Sequence, residues 1–315
     1  MPLEKLYRIM LILSEVNAAG LSEYLALRGG TAINLCFEQL PRLSVDIDLV
    51  AIRDGNKENM LRDKLTIRER LSEIAESAGY ELDTHFGTYA LDRFELKYRN
   101  IFDSPDLLKI EINYISARIP IYEPINARPM NLFDISVEAV RTLAFPEVYG
   151  SKIEALLKRG AARDLFDVYT LARKSRASLE VSKLRKCAIF SCCVEIPWDF
   201  RASLTQNPAD NIRERQVKQD LHPFLRQNTQ FDLSEVREIV ERFWRNVFRL
   251  DPDEQQFLQS LFEDRKYLPT VLFPGEDHLK DHPGIAWRLQ QLSRQEQPSI
   301  TNRFSERGMH GNSGF

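Results

Sequence analysis

The hydrophobic pattern of the chain changes once, close to residue 145. Before this point, segments that alternate apolar and polar residues are interleaved with amphipathic segments of helical period. After it, almost every patterned segment is helical, and Pro146 stands where proline is favoured, in the first turn of a helix. A chain of 315 residues is also long for one compact core. We therefore expect an α+β domain with a mixed sheet at 1–145, an all-helical domain at 146–295 and a polar, disordered tail at 296–315.

The segment LRGGTAINLCFEQLPRLSVDIDLV, residues 27–50, places two aspartates in a strand pattern. Asp46 and Asp48 alternate with apolar residues, so both side chains point to one face while their neighbours point to the core. Two carboxylates this close raise each other's cost of ionisation, and a bound cation removes that cost. Mg²⁺, with Mn²⁺ as an alternative, binds one or two carboxylates together with phosphate oxygens. The pair therefore predicts a metal site for phosphoryl transfer.

A glycine turn stands one helix before the aspartates. Gly29 and Gly30 let the backbone approach a ligand, and Thr31 is placed to cap the helix that follows. Free N–H groups at a helix N-terminus bind anions, so the turn predicts a phosphate site beside the metal pair. Taken alone, a Gly-Gly-Thr turn is usually only a turn, and an Asp-x-Asp is often a solvated strand face. Their order on strand, turn, helix and strand favours the functional interpretation.

A third carboxylate is available on a later strand, in the segment LLKIEINYI. Alternation puts Lys109, Glu111 and Asn113 on one face of that strand. Glu111 is therefore a candidate third metal ligand, or the base that takes a proton from an attacking hydroxyl. The alternative is a charged outer face of an antiparallel strand, on which Lys109 pairs with the glutamate.

Two helical segments of the second half carry further candidates. In PEVYGSKIEALLKRG, Lys152 and Arg159 are seven residues apart and share a face away from the apolar stripe. In RDLFDVYTL, the apolar spacing leaves Asp164 and Asp167 off the buried face, where Arg163 can pair with Asp167. The structural alternative for both segments is a solvated helix face, with acidic residues favoured near a helix start.

The combination of these motifs is similar to that of a known family. The pattern of Gly-Gly-Thr, a helix, Arg-x-Ser and Asp-x-Asp resembles the first motif of the AbiEii/AbiGii toxin family, a branch of the DNA-polymerase-β-like nucleotidyltransferase superfamily. The residues that match this motif are Gly29, Gly30, Thr31, Arg42, Ser44, Asp46 and Asp48. The segment SKIEALLKRGAARDLFDVYTL is similar to the downstream Lys and Arg-Asp motif, and HPGIAWRLQQL to a segment near the C-terminal end of the family. The resemblance covers roughly residues 20–290.

The resemblance implies a polymerase-β-like domain that transfers a nucleoside monophosphate from an NTP to an acceptor hydroxyl. It makes Asp46, Asp48 and Glu111 the catalytic and metal-binding carboxylates. It also implies that Lys152 contacts the triphosphate and that either Asp164 or Asp167 lines the cleft. The nucleotide-binding residues that it implies are Gly29, Gly30, Thr31, Arg42, Ser44 and Lys152.

The resemblance implies a biological setting as well. Members of the family act as the toxin beside a separately encoded antitoxin, often in phage defence, and some relatives add nucleotides to the 3′ end of tRNA. We therefore expect an NTP and an RNA acceptor, tRNA first, as substrates. Two alternatives stay open: transfer to a protein or small-molecule hydroxyl by the same site, and a nucleotide-binding module without catalysis.

Charge and composition bear on the acceptor and the compartment. A formal net charge of −3 argues against a surface that binds nucleic acid everywhere. Residues 152–186 nevertheless hold ten lysines and arginines against four acids, a local net charge of +6. This run indicates either a footprint for an RNA backbone or a solvated surface. The N-terminus lacks a signal sequence and no segment has the roughly 20 apolar residues of a membrane span, so we expect a cytoplasmic protein.

The cysteines and the later aromatic residues have structural interpretations. Cys36, Cys187, Cys192 and Cys193 lack paired C-x-x-C spacing, and we expect reduced core thiols rather than disulfides or zinc ligands. The aromatic residues of the later helices fit a helical core better than a base-stacking surface; they include Phe243, Trp244, Phe248 and Trp287.

Overall fold

The computed structural model describes residues 2–53, 57–86, 90–115, 119–133, 135, 137–174 and 180–295. The tail predicted to be disordered, 296–315, lies outside these residues. The strands are β1 (Leu25–Arg28), β2 (Asp46–Ala51), β3 (Glu81–Phe86), β4 (Leu91–Arg99), β5 (Pro105–Asn113), β6 (Ile125–Ala127) and β7 (Val140–Thr142). The helices are α1 (Pro2–Ala18), α2 (Gly29–Ala32), α3 (Lys57–Ser77), α4 (Phe145–Arg159), α5 (Ala162–Ala172), α6 (Val181–Glu195), α7 (Glu214–Gln216), α8 (Leu233–Val247), α9 (Pro252–Phe262), α10 (Pro269–Leu272) and α11 (Pro283–Gln295).

Within the described residues, seven strands form one mixed sheet in the order β3–β4–β5–β2–β1–β7–β6. β2 lies at its centre, antiparallel to β1 and parallel to β5, and β1 is also parallel to β7. The alternation of β2 explains its place, because Ile47 and Leu49 are buried whereas Asp46 and Asp48 are half-buried on the opposite face. The centre of the sheet therefore carries the aspartate pair, and the predicted α+β class with a mixed sheet is confirmed.

Two hydrophobic cores occupy the described part of the chain. The larger core packs the sheet against α1, α3, α4, α5 and α8. The smaller core packs α6 against α9, α10 and α11. α4 lies along α6 and links the two cores. Helices that follow residue 145 thus share the larger core with the sheet, and the domain boundaries stay a prediction.

The helix that follows β1 is short. α2 continues as a π-helical turn, Ile33–Phe37, and the chain becomes extended at Glu38. This turn lets the backbone N–H of Arg42 donate to Asn34 Oδ1 at 3.4 Å. The early end of the helix therefore determines the position of the Arg42 backbone beside Asn34. The edge strand β3 was not predicted, and it is held by antiparallel pairing with β4.

Other sequence expectations concern burial. Phe243 and Trp244 are buried in the larger core as predicted, and Phe248 packs against it. All four cysteines are free thiols, with Cys187, Cys192 and Cys193 buried and Cys36 half-buried. Among the described helices, none combines the length and the apolar character that a bilayer span requires.

Candidate active site

Asp48 lines a cleft of ≈ 360 Å³ that α4 also lines. The strand register puts Asp48 between Arg28 of β1 and Glu111 of β5. Asp46 lies two residues earlier, opposite Lys109. Directly paired residues of neighbouring strands present their side chains to the same face. The two aspartates share one face of the sheet, as the alternation predicted, and the pairing of β2 with β5 brings Glu111 to the same face.

The glycine turn packs directly on the aspartate strand. Gly29 has a φ of +72°, in the region that favours glycine, and a Cβ on it would clash with Asp48 Oδ2. The prediction that Thr31 caps the helix was wrong, because Thr31 lies inside α2 and its Oγ1 donates to the carbonyl oxygen of Asp46 at 2.5 Å. Backbone conformation and close approach thus both require glycine at position 29, and only backbone atoms of the turn stand against Asp48.

Arg42 forms a buried ion pair between the two halves of the sequence, which we call the Arg42–Asp167 clamp. Its Nε and Nη2 donate to Oδ1 and Oδ2 of Asp167, both at 2.7 Å, and the arginine side chain is 3% exposed. A Cβ on Gly30 would stand 2.8 Å from Arg42 Nη2 and from Ser44 Oγ, so the clamp also needs this glycine. These contacts give Arg42 a structural role, and its nucleotide-binding role stays a prediction.

Lys152 is held between the carboxylates of Asp164 and Asp167. Its Nζ lies 3.2 Å from Asp164 Oδ1 and 3.5 Å from Asp167 Oδ2, and the residue lines the cleft together with Asp48. Arg159 Nε donates to Asp164 Oδ2 at 2.6 Å. With the arginine of the clamp, three cations share two carboxylates. This cluster of three cations and two carboxylates therefore carries a net charge of +1.

The expectation that Asp164 and Asp167 lie off the buried face was wrong. They are 0% and 1% exposed, because α5 packs against α4, α8 and the Val217–Leu221 turn. Burial alone would raise the pKa of Asp164, but the neighbouring Lys152 and Arg159 hold that pKa below its usual range. Both aspartates reach the cleft only through the cations that they hold.

Arg163, predicted to pair with Asp167, lies instead over the ring of Phe224, 5.1 Å from its centroid. The helical spacing of four residues was present, but the Arg42–Asp167 clamp occupies both carboxylate oxygens of the aspartate. A partner from outside the helix therefore replaces the local one.

The fold makes the ionisation of Asp48 less favourable than it is in water. Burial is the main cause that raises its pKa, and the charges of Asp46 and Glu111 add to it. The charges of Lys152 and Arg28 oppose this rise without cancelling it. A bound cation would stabilise the ionised form, and carboxylate oxygens are ligands that Mg²⁺ prefers. The aspartate pair therefore fits a hard divalent cation that completes its shell with phosphate oxygens.

Glu111 is paired with Arg93, which was not predicted. Arg93 Nε and Nη2 lie 2.8 and 2.7 Å from Glu111 Oε1. Nowhere in the described chain do three His, Cys, Asp or Glu side chains come together as a set that could hold a metal ion. The role of Glu111 as a third ligand stays a prediction, and it requires the glutamate to leave Arg93 or to share it.

Four further charged residues line the cleft and were not predicted: Arg28, Glu154, Lys158 and Glu195. Glu154 and Lys158 stand four residues apart on α4, next to the face of Lys152 and Arg159, so helical period could have indicated them. Arg28 directly precedes the glycine turn. Glu195 is at the end of α6, and no feature of the sequence connects it to the site.

The basic run 152–186 is largely used in ion pairs. In the described residues, at least six of its ten basic side chains contact carboxylates: Lys152, Lys158, Arg159, Lys174, Lys183 and Arg185. The positive charge that remains for an RNA backbone is therefore smaller than the composition indicates.

Glu154 is buried in the cleft wall with few partners. The residue is 4% exposed, and Lys158 Nζ lies 3.8 Å from its Oε1. Among the described groups, Oε1 finds no hydrogen-bond donor. Burial, with the charge of Glu195, raises the pKa of Glu154 to about 7. The fold therefore favours the protonated form of this carboxyl group.

Replacing Glu154 with glutamine is expected to make the stability less sensitive to pH. The pKa of Glu154 rises from 4.5 to about 7 on folding. The contribution of this carboxyl group to the free energy of unfolding is therefore fully present below pH 4.5 and is lost as the pH rises through about 7. At pH 8, Glu154→Gln should exceed the unsubstituted chain in unfolding free energy by up to about 3 kcal/mol. At pH 4.5 the two should be nearly equal.

Urea unfolding at the two pH values measures this difference. Burial also raises the pKa of Glu147 to about 7, so part of the pH dependence should remain in Glu154→Gln. A Glu154→Gln variant that is less stable than the unsubstituted chain at pH 8 would contradict the expectation.

Comparisons with known proteins agree with this fold. The family model described as nucleotidyl transferase AbiEii toxin, type IV TA system, matches residues 11–247. MenT4, a nucleotidyltransferase toxin from Mycobacterium tuberculosis H37Rv, is similar in structure with a TM-score of 0.56 and 14% sequence identity, over 86% of this chain and 85% of that chain. At this identity the likeness bears on the fold alone. No curated protein sequence matches the chain. Since the family model covers most of its length, the chain belongs to the AbiEii family of nucleotidyltransferase toxins of type IV toxin–antitoxin systems.

Proposed function

We propose that this nucleotidyltransferase transfers a nucleoside monophosphate from an NTP to the 3′-terminal hydroxyl of an RNA, tRNA first, with Mg²⁺ as its metal. The observation that carries the proposal is the packing of the Gly29 turn on Asp48 in a cleft that Lys152 also lines. The site therefore combines a pair of carboxylates, a glycine backbone in contact with one of them, and a lysine held in position by two further aspartates. Phosphoryl transfer depends on such positioned charges.

Asp46 and Asp48 would hold the metal ion, with Mn²⁺ as an alternative to Mg²⁺. When bound, the ion supplies positive charge that draws the triphosphate in and stabilises the charge of the transition state. Because Gly29 has no side chain, the Asp48 carboxylate packs directly on the glycine turn, and one metal-bound triphosphate could contact both. The backbone N–H groups of the turn would bind the same phosphates.

Lys152 would offset the charge that develops on the leaving pyrophosphate. Asp164 and Asp167 hold its ammonium group in place before the substrate arrives. Arg159, which lines the same cleft, would add a second cation. A cation that is already in position does not have to reorganise during the reaction, and this makes it more effective.

The attacking hydroxyl must lose a proton during transfer. Glu111 is our candidate for the base, because it stands next to Asp48 across the β2–β5 pair. Its ion pair with Arg93 holds the carboxylate group in place on the face that carries Asp48.

The choice of RNA as acceptor, and of a separately encoded antitoxin protein as partner, rests on membership of the family and on the basic residues near the cleft. We place both partners in the cytoplasm and the pair in phage defence. Transfer to a protein or small-molecule hydroxyl is the alternative. Only a polyanionic acceptor should bind with a steep dependence on salt concentration.

Incubation of the purified chain with total tRNA, Mg²⁺ and each α-labelled NTP in turn tests the proposal. We expect label at the tRNA 3′ end from at least one NTP, and none after chelation of the metal. Periodate-oxidised tRNA, which lacks the attacking hydroxyl, is the matched control and should take up no label. Label on protein or a small molecule instead would move the acceptor to the alternative class. A folded chain that releases no pyrophosphate from any NTP would refute the proposal.

A further inference from the structure

The active-site cleft adjoins a second, larger groove. The groove has a volume of ≈ 970 Å³ and is lined by residues from the end of β5, the end of α6 and α11. Asn113, Lys158 and Glu195 line both cavities. Because the two share these walls, one depression extends from Asp48 towards α11.

Trp287 stands in the wall of this groove with 50% of its surface exposed. The expectation that it belongs to the helical core was wrong. α11 buries Ile285, Arg288 and Leu292, which are three and four residues apart, and Trp287 falls outside that stripe. Within the described residues, its indole has no aromatic or cationic partner. The ring is therefore available to a ligand.

The other groups of the groove suit a nucleobase. Pro197 and Pro283 give it apolar walls beside Trp287, while Gln290 and Gln291 add amide groups. Bases of single strands stack on aromatic side chains, and amides form hydrogen bonds with their edges. Lys158 lies between groove and cleft and is paired with Glu195 at 3.0 Å, so it contacts a nearby phosphate by exchanging that carboxylate for the phosphate oxygen.

The geometry of phosphoryl transfer decides which substrate would enter the groove. The glycine turn follows β1 on one side of Asp48, and Asn113 belongs to β5 on the other side. In an in-line displacement, the attacking and leaving oxygens lie on opposite sides of the phosphorus. With the leaving pyrophosphate at Gly29 and Lys152, the attacking hydroxyl arrives from the β5 side, where the groove lies.

We propose that Trp287 is the stacking platform for the unpaired 3′-terminal base of the acceptor RNA. Lys158 contacts the sugar–phosphate backbone of that terminal nucleotide. The 3′-hydroxyl of the same nucleotide points to Asp48. A base within a duplex has both faces covered, so the groove selects a single-stranded end. This inference rests on the proposed function, because it takes an RNA acceptor for granted.

A binding measurement without turnover tests the platform. The probe is a single-stranded RNA oligonucleotide with 2-aminopurine as its 3′-terminal base, bound to a chain that carries Asp48→Asn. Stacking on the indole should quench the fluorescence of the probe. Trp287→Ala should abolish most of the quenching and weaken binding about tenfold or more, and Trp287→Phe should retain part of both. Trp198→Ala is the matched control, because Trp198 is also exposed but does not line the groove, and it should change neither.

Steady-state kinetics with Asp48 intact provide the second readout. Trp287→Ala should raise KM for the RNA by about tenfold, with KM for the NTP changed by less than about twofold. Unchanged probe binding would overturn the inference. A higher KM for the NTP alone would also overturn it, since the groove would then hold the donor base. Absence of transfer to any RNA by the unsubstituted chain would refute the proposed function. The binding of the probe tests the role of Trp287 independently, because it does not require transfer.

Discussion

Replacing Asp48 with asparagine is expected to lower nucleotide transfer by about three orders of magnitude or more without destabilising the fold. Asparagine keeps the shape that packs against Gly29 but removes the negative charge that a divalent cation requires. Burial raises the pKa of Asp48, so its ionised form opposes folding at neutral pH. The neutral amide should therefore be as stable as the aspartate at pH 8, or more stable.

Transfer rates and urea unfolding of the same preparations measure the two effects together. Loss of transfer with unchanged or higher stability would identify Asp48 as a residue kept for chemistry rather than for folding. Retained transfer would remove the aspartate pair from the mechanism. A chain that loses transfer because it unfolds would contradict the expected gain in stability.

Glu111→Gln is the matched variant for Asp48→Asn. It makes the same change of charge on the neighbouring strand, at a residue paired with Arg93. A loss of transfer comparable to that of Asp48→Asn would assign Glu111 to the reaction. A loss of transfer of less than about tenfold would show that, of Asp46, Asp48 and Glu111, the reaction does not require Glu111.

Replacing Arg42 with methionine is expected to lower the free energy of unfolding by about 3–5 kcal/mol, because it leaves the charge of Asp167 buried without its bidentate partner. Lys152 Nζ, 3.5 Å from Asp167, would be drawn toward the unpaired carboxylate and away from the cleft. We therefore expect transfer to fall even where the variant remains folded. Urea unfolding at neutral pH measures the stability, and single-turnover transfer measures the displacement.

Glu241→Gln is the control for this loss of an ion pair. It breaks the exposed pair of Glu241 with Arg245 on α8 and should cost less than about 1 kcal/mol. Combining Arg42→Met with Asp167→Leu removes both buried charges and should recover part of the stability. A cost for Arg42→Met as small as that of Glu241→Gln would show that the clamp does not hold the fold together.

The parts of the site that could be predicted depend on local periodicity. Asp46 and Asp48 alternate with buried residues over a few positions, so their common face follows from the strand geometry alone. The first turn of α4 follows in the same way from Pro146. These features need no knowledge of what lies next to the segment in space.

The parts that could not be predicted depend on distant partners. Asp164 and Asp167 have the spacing of exposed residues, yet they are buried because cations from other elements neutralise them. Arg42, the bidentate partner of Asp167, is 125 positions away in the sequence. Trp287 shows the opposite error, because an aromatic residue of an amphipathic helix was assigned to the core. Which face of α11 is buried depends on the helices that pack against it, and Trp287 lies on the exposed face.

The separation of the candidate site residues along the chain also sets the time at which the proposed site is completed during synthesis. The nascent chain contains Asp46 and Asp48 early, but Lys152 follows about a hundred residues later, and Asp164 and Asp167 come after it. The ammonium group is held only once α5 has left the ribosome and packed beside α4. On the proposed mechanism, a partly synthesised chain carries the aspartate strand without a positioned Lys152, and we expect no transfer before α5, which ends at Ala172, has been made.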